Sequence, residues 1–245
     1  MENQDISIEV SHHNLDDDPG TVAGSLRHSA KKHRREILAS HGYHALWLGQ
    51  ISRERYAELL LSHYWFRKNL EEIFNKIGAS FVVENQFFDT KKVYLTEPYG
   101  VTKQIKSTDL CEDYMELVGR HPREQPLPPK AQALVDYINK IYSQYSVALL
   151  GIAHMLDETQ CYAGPRIVTA LNDKLKLGGK ATRYLRGRGD EKRTLWSFRR
   201  SLNAITDFQT QANIVIASTF SYRKYRDFID PYATSVPDND SRYHA

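Results

Sequence analysis

The chain has 245 residues, 41% of them hydrophobic, which suits one domain of ordinary size with a real core. Its two cysteines, Cys111 and Cys161, lack C-x-x-C spacing, which argues against a zinc knuckle or a disulfide framework and fits a reducing compartment. Net charge is only +3, no stretch approaches the ~18 apolar residues of a membrane span, and residues 1–25 carry Asp16-Asp17-Asp18 in place of a basic and apolar leader; the expectation is a cytoplasmic protein without membrane contact.

In chain order, residues 1–24 read as a polar tail. Ser25 is the expected N-cap of a first helix in which Leu26, Ala30, His33, Ile37 and His41 recur at helical spacing, and Gly42 is its expected stop. Ser52 caps a long helix with Tyr56, Leu59, Leu60, Tyr64, Leu70, Ile73 and Phe74 on its apolar face, ending near Gly78. Residues 81–100 read mostly as loop, broken at Pro98-Tyr99-Gly100. Ser107 caps a helix through Leu117, and a proline-rich link from His121 to Pro129 follows. A helix from Lys130 gives way, across a turn at Gln144 to Ser146, to another that Gly164-Pro165 bends before it resumes to Leu175. Leu195 to Ile205 and Ala212 to Phe228 supply the last two helices, and Asp230-Pro231 opens a tail, 230–245. The sum is a single all-α, multi-helical domain over 25–229, without repeats.

Charge is uneven along this chain. Between Asp173 and Arg200 lie ten basic residues against Asp173, Asp190 and Glu191, a segment that attracts anions. It lacks the interleaved aromatics of a single-strand binder, which points away from nucleic acid.

Several short runs carry a family likeness. Leu26-Arg27-His28-Ser29-Ala30-Lys31-Lys32-His33-Arg34, then Gly49-Gln50-Ile51-Ser52-Arg53-Glu54, then Ser62-His63-Tyr64 and Leu70-Glu71-Glu72 follow one another in register. Ser107-Thr108-Asp109-Leu110, Ala153-His154 and Phe198-Arg199-x-x-Leu202-Asn203 extend the match over most of 26–228. Together they resemble the biliverdin-producing haem oxygenases, whose first motif reads roughly L-[RK]-x-x-T-K-x-x-H and closes on the proximal histidine that ligates haem iron. The resemblance implies a haem-oxygenase-like fold, haem as cofactor and, for a catalytic member, an electron-donor reductase as partner.

The register departs from the family at both faces of that site. Arg34 falls on the proximal histidine, and a guanidinium has no lone pair to donate. His33 is adjacent, but one residue along a helix is a rotation of about 100°; its plain reading is a packed side chain on the Leu26, Ala30, Ile37 stripe. On the distal side the family's G-D-x-x-G-G becomes Cys161-Tyr162-Ala163-Gly164-Pro165-Arg166, so Cys161 and Tyr162 are expected to fill space that haem and oxygen need. What persists is basic: Arg27, Lys31 and Arg199 fall where the family places charge near the haem propionates, and the Lys174–Arg193 loop is expected on the same side.

Three functions are open on these residues. The first is a non-catalytic or redirected protein binding a small acidic ligand such as a tetrapyrrole through Arg27, Lys31, His33, Arg34, Cys161, Tyr162, Gly164 and Arg199. The second is a working haem oxygenase with His33 as metal ligand. The third is a non-haem iron oxidase of the haem-oxygenase-like diiron type, since His154, Glu158 and Cys161 share one helical face at spacings of four and seven. His41 and His44 form a lesser pair with no third ligand in view, and no nucleophile elbow surrounds any serine.

Overall fold

The computed structural model describes residues 20–77, 106–203, 205 and 207–233, and within them every regular element is a helix. The reading of 81–100 lies outside the described residues.

Helix α1 spans Val22–Leu38 and starts earlier than Ser25: Thr21 is the N-cap, its hydroxyl accepting from the Gly24 amide at 3.0 Å. The apolar stripe begins with Val22 and Ala23, both buried, so the helix had to include them. Nor does Gly42 stop it. The chain turns at Ala39 and Ser40, and Ser40 caps α2, His41–Trp47. Gly42 lies buried inside α2 because a Cβ there would collide with the Ile229 carbonyl, and its amide donates to Asp230 Oδ1 at 3.0 Å.

Ser52 caps α3, Arg53–Ile77, accepting from the Arg55 amide at 3.2 Å as the sequence predicts. Helix α4, Lys106–Val118, takes Ser107 into its first turn; in place of a cap, Ser107 donates through amide and hydroxyl to the Glu71 carboxylate on α3. Pro129 opens α5, Pro129–Tyr145, where its missing N–H costs nothing. The expected break follows at Tyr145, with φ −151° and ψ 78°, and a single 3-10 turn leads into α6, Leu149–Leu175. Helix α6 is the axis of the molecule and runs unbroken through Pro165 to a left-handed Lys176 at φ 54°.

The Lys174–Arg193 segment is not simply a solvated loop. It contains α7, Arg183–Arg186, and turns its charge onto α4: Arg183 pairs with Glu112, Asp113 and Glu116, and Arg188 with Asp109 at 3.2 Å. Helix α8 is Glu191–Leu202, and Asp207 caps α9, Phe208–Ile229, accepting from the Thr210 amide at 2.6 Å. A 3-10 turn at Asp230–Tyr232 belongs to the core rather than to a tail, since Tyr232 is 1% exposed and bonds Ser62 at 2.8 Å.

Helices α1, α6 and α9 pack mutually, with α2 and α8 at their flanks. Close approach is set by small residues: the Ile214 carbonyl of α9 occupies the Cβ position of Gly151, and the Leu185 carbonyl that of Gly164. Among the described residues no helix is long and apolar enough to cross a membrane.

Candidate functional site

The centre of the site is a buried carboxylate. His154, Glu158 and Tyr162 lie at i, i+4 and i+8 of α6, a stripe that faces α1, α8 and α9. Glu158 is 2% exposed. Its Oε1 lies 3.5 Å from Arg34 Nη2 of α1 and 3.4 Å from Arg199 Nη2 of α8, and its Oε2 accepts from the Tyr222 hydroxyl of α9. Burial pushes the Glu158 carboxyl up, against the pull of Tyr222 and the two guanidiniums. The same burial, reinforced by the neighbouring carboxylate, raises the Tyr222 phenol well above its usual range.

Arg34 thus points from α1 across to α6, and its guanidinium also stands over the Tyr162 ring, 4.8 Å from the centroid. His33 turns elsewhere. It is buried, its Nδ1 lies 2.9 Å from Glu36 Oε2, and its ring stacks on Tyr222 at 6.0 Å.

Arg199 is the buried arginine of the pair. Its Nε donates to His154 Nε2 at 3.0 Å, so the neutral imidazole carries its proton on Nδ1, which has no hydrogen-bond partner. Burial and the Arg199 charge hold His154 well below the ordinary histidine range. The companion residue of the Phe198-Arg199-x-x-Leu202-Asn203 run works elsewhere, since Asn203 Oδ1 accepts from the Ala23 amide at 3.0 Å and tethers the first turn of α1.

Between α1, α2, α6 and α9 lies a pocket of about 210 Å³, walled by Arg34, Ile37, Tyr43, Trp47, Glu158, Thr159, Tyr162, Ala163 and Tyr222. Of the residues marked by sequence, only Arg34, Glu158 and Tyr162 reach this wall. Cys161 is buried behind it, and Gly164 serves the crossing with Leu185. Arg27 and Lys31 are exposed on α1 away from the lining, Arg27 contributing through its charge on Glu158. Arg199 lies beneath the wall, bound to Glu158 and His154 rather than presented at a rim. Arg183 and Arg188 of the basic segment are turned to α4. Sequence reasoning missed Tyr43, Trp47 and Tyr222; only the helical period, which brings Tyr222 round beside Ser218 and Tyr225 on the buried side of α9, held any signal for them.

The donor set expected for non-haem iron is spent on protein partners. His154 Nε2 accepts from Arg199, both Glu158 oxygens are engaged, and burial raises the Cys161 thiol. Among the described residues no group of three or more His, Cys, Asp and Glu is gathered to hold a metal ion, and His41 and His44 are exposed.

No family model matches the sequence, and no curated protein matches it. Solved structures do. A haem oxygenase from Leptospira interrogans superposes with a TM-score of 0.70 at 16% identity, covering 86% of this chain and 99% of that one. Haem oxygenase-2 from Synechocystis, determined with haem and NO, gives 0.71 at 18% identity, covering 85% and 84%. A domain of unknown function with a haem oxygenase-like fold from Shewanella denitrificans gives 0.69 at 14%, covering 84% and 90%. The fold is that of the haem oxygenases.

On that fold the residues present do not fit iron-ligated haem. The polar side chain that α1 presents to the cleft is a guanidinium already bridged to α6. The pocket falls below the ~300–1,000 Å³ of drug-sized ligand sites, and Tyr162 and Glu158 form part of its wall. His33 keeps one feature of a metal-bound imidazole, a carboxylate on Nδ1, but its ring lies over Tyr222 and outside the lining.

Proposed function

We propose that this protein uses the haem-oxygenase fold to bind an acidic ligand in the cleft between α1 and α6, without ligating or cleaving haem. The observation that carries the reading is Arg34, the charged residue that α1 presents to the cleft: it offers a cation where an iron ligand needs a lone pair. Two arginines facing one carboxylate leave positive charge in excess, which suits an anion. No electron-donor reductase is needed for this role.

Haemin titration tests it. The expected result is a broad, weak Soret change without a histidine-ligated spectrum, and no biliverdin when a reductase and its reductant are supplied. The second reading, haem cleavage with His33 as axial ligand, is supported by the Glu36 carboxylate on His33 Nδ1. A sharp Soret band that disappears in His33→Ala, with turnover in the parent, replaces the first reading with the second.

A further inference from the structure

The pocket is small and built of carbon. An apolar cavity of ~150 Å³ holds a benzene molecule, so about 210 Å³ is room for one substituted ring or a fused pair rather than a macrocycle. Ile37, Tyr43, Trp47, Ala163 and Tyr222 form its walls, three of them aromatic. Two of the lining hydroxyls are committed inward: Thr159 donates to the Met155 carbonyl at 2.8 Å, and Tyr222 to Glu158.

Charge enters at two points. Arg34 stacks on Tyr162, and Arg166 on Trp47 at 4.2 Å, so a guanidinium–aromatic pair flanks the pocket through each of two lining rings. Of the two arginines that share Glu158 Oε1, Arg34 is the one that can let go. Its side chain is 34% exposed against 8% for Arg199, so water screens its charge when it leaves. Glu158 would then keep Arg199 and the Tyr222 hydroxyl.

We infer that the ligand is a small aryl carboxylate, its ring between Tyr43, Trp47 and Tyr222 and its carboxylate taking Arg34 from Glu158. This rests on the acidic-ligand function proposed above and narrows it by size and shape. Flat rings match aromatic walls in offset or edge-on contact, and a carboxylate meets a guanidinium through two parallel hydrogen bonds. Glu158 is then an internal stand-in for the ligand's head, held in place until an external carboxylate displaces it from Arg34.

The test is calorimetric titration of the full chain with 3-phenylpropionate and indole-3-acetate, against 3-phenylpropionamide as the uncharged analogue and protoporphyrin IX as a metal-free macrocyclic acid. Both aryl acids are expected to saturate, with the amide at least about tenfold weaker. Arg34→Gln should bring acid and amide to the same affinity, Glu158→Gln should tighten the acid, and Ala163→Phe should remove binding of both by filling the pocket. Thermal melting of each variant reports its folding; should Ala163→Phe fail to fold, the half-exposed Arg34→Gln still decides. Equal binding of acid and amide by the parent, or unchanged acid affinity in Arg34→Gln, overturns the inference. If protoporphyrin binds through Arg34 and the aryl acids do not, the acidic-ligand function stands and the aryl-acid inference falls. If no acid binds, both fall.

Discussion

His33 and Arg34 are neighbours in α1 and face different helices: the His33 ring lies on Tyr222 of α9, 6.0 Å between centroids, while the Arg34 guanidinium lies on Tyr162 of α6, 4.8 Å away. The ~100° step of an α-helix separates them, and it decides which one meets the cleft.

That separation makes the register testable by substitution. Arg34→His places an imidazole in the cleft, whereas Lys32→His places one on the exposed side of α1. Haemin should bind Arg34→His more tightly than the parent and with a sharper Soret band, and adding Tyr162→Gly should extend the gain by clearing the facing ring. Identical titrations for Arg34→His and Lys32→His would show that α1 is misassigned.

The Glu158 cluster makes a claim about stability. Replacing Glu158 by Leu leaves Arg199 buried without its carboxylate and Tyr222 without its acceptor, a loss of about 3–5 kcal/mol. Arg34→Ala removes a part-exposed partner and should cost no more than ~1 kcal/mol. Urea unfolding with unchanged slopes measures both, and equal losses for the two variants would contradict the burial argument.

His63 supplies a pH dependence. It is buried in α3, its Nδ1 on the Leu59 carbonyl at 2.9 Å and its Nε2 on the Tyr225 hydroxyl at 2.8 Å, and burial holds it down at about 3 from an ordinary 6.5. Between those values the unfolded chain takes up a proton that the folded chain refuses. Stability from His63 is therefore complete above about pH 6.5 and is lost as pH falls toward 3. His154 acts in the same direction; Asp113, pushed up to about 6 by burial, and Glu158 act oppositely, because the fold keeps their protons at pH values where the unfolded chain has shed them. His63→Gln removes one contribution, so the parent's stability advantage should shrink by about 1.4 kcal/mol per pH unit on acidification. A constant gap between parent and variant from pH 7 down to about 4 would show that His63 titrates normally.

Gly164 tests why glycine persists on α6. The Leu185 carbonyl stands where its Cβ would lie, so Gly164→Ala should destabilise by about 1–3 kcal/mol through overpacking, outweighing the helix propensity gained. A stabilised variant, read by thermal melting, would mean that the α6–α7 crossing yields easily.

The helices were legible because their cores are periodic: the α3 stripe from Tyr56 to Phe74 is buried as its spacing requires. Starts and stops were less so. Ser25 and Thr21 offer the same capping hydroxyl, and only the burial of Val22 and Ala23 chooses between them. Gly42 reads as a terminator until the Ile229 carbonyl is seen against it. At the site, the Arg34, Glu158 and Tyr162 positions could be marked singly, but the meeting of Arg34 with the other two could not, because it joins α1 to α6. Tyr222 was invisible for that reason: a tyrosine on an apolar stripe carries no sign that its hydroxyl ends on a carboxylate 64 residues earlier.

The tether from Ala23 to Asn203, together with Ser29 on Thr219 at 2.7 Å, joins stretches 180 and 190 residues apart. On a ribosome α1 emerges before every helix it rests on, and its apolar stripe must wait through the synthesis of nearly the whole chain before α9 arrives to cover it. The wall of the cleft that carries Arg34 is thus written first and seated last. Ending the chain before α9 takes away most of the surface on which that first helix lies, however intact its own sequence.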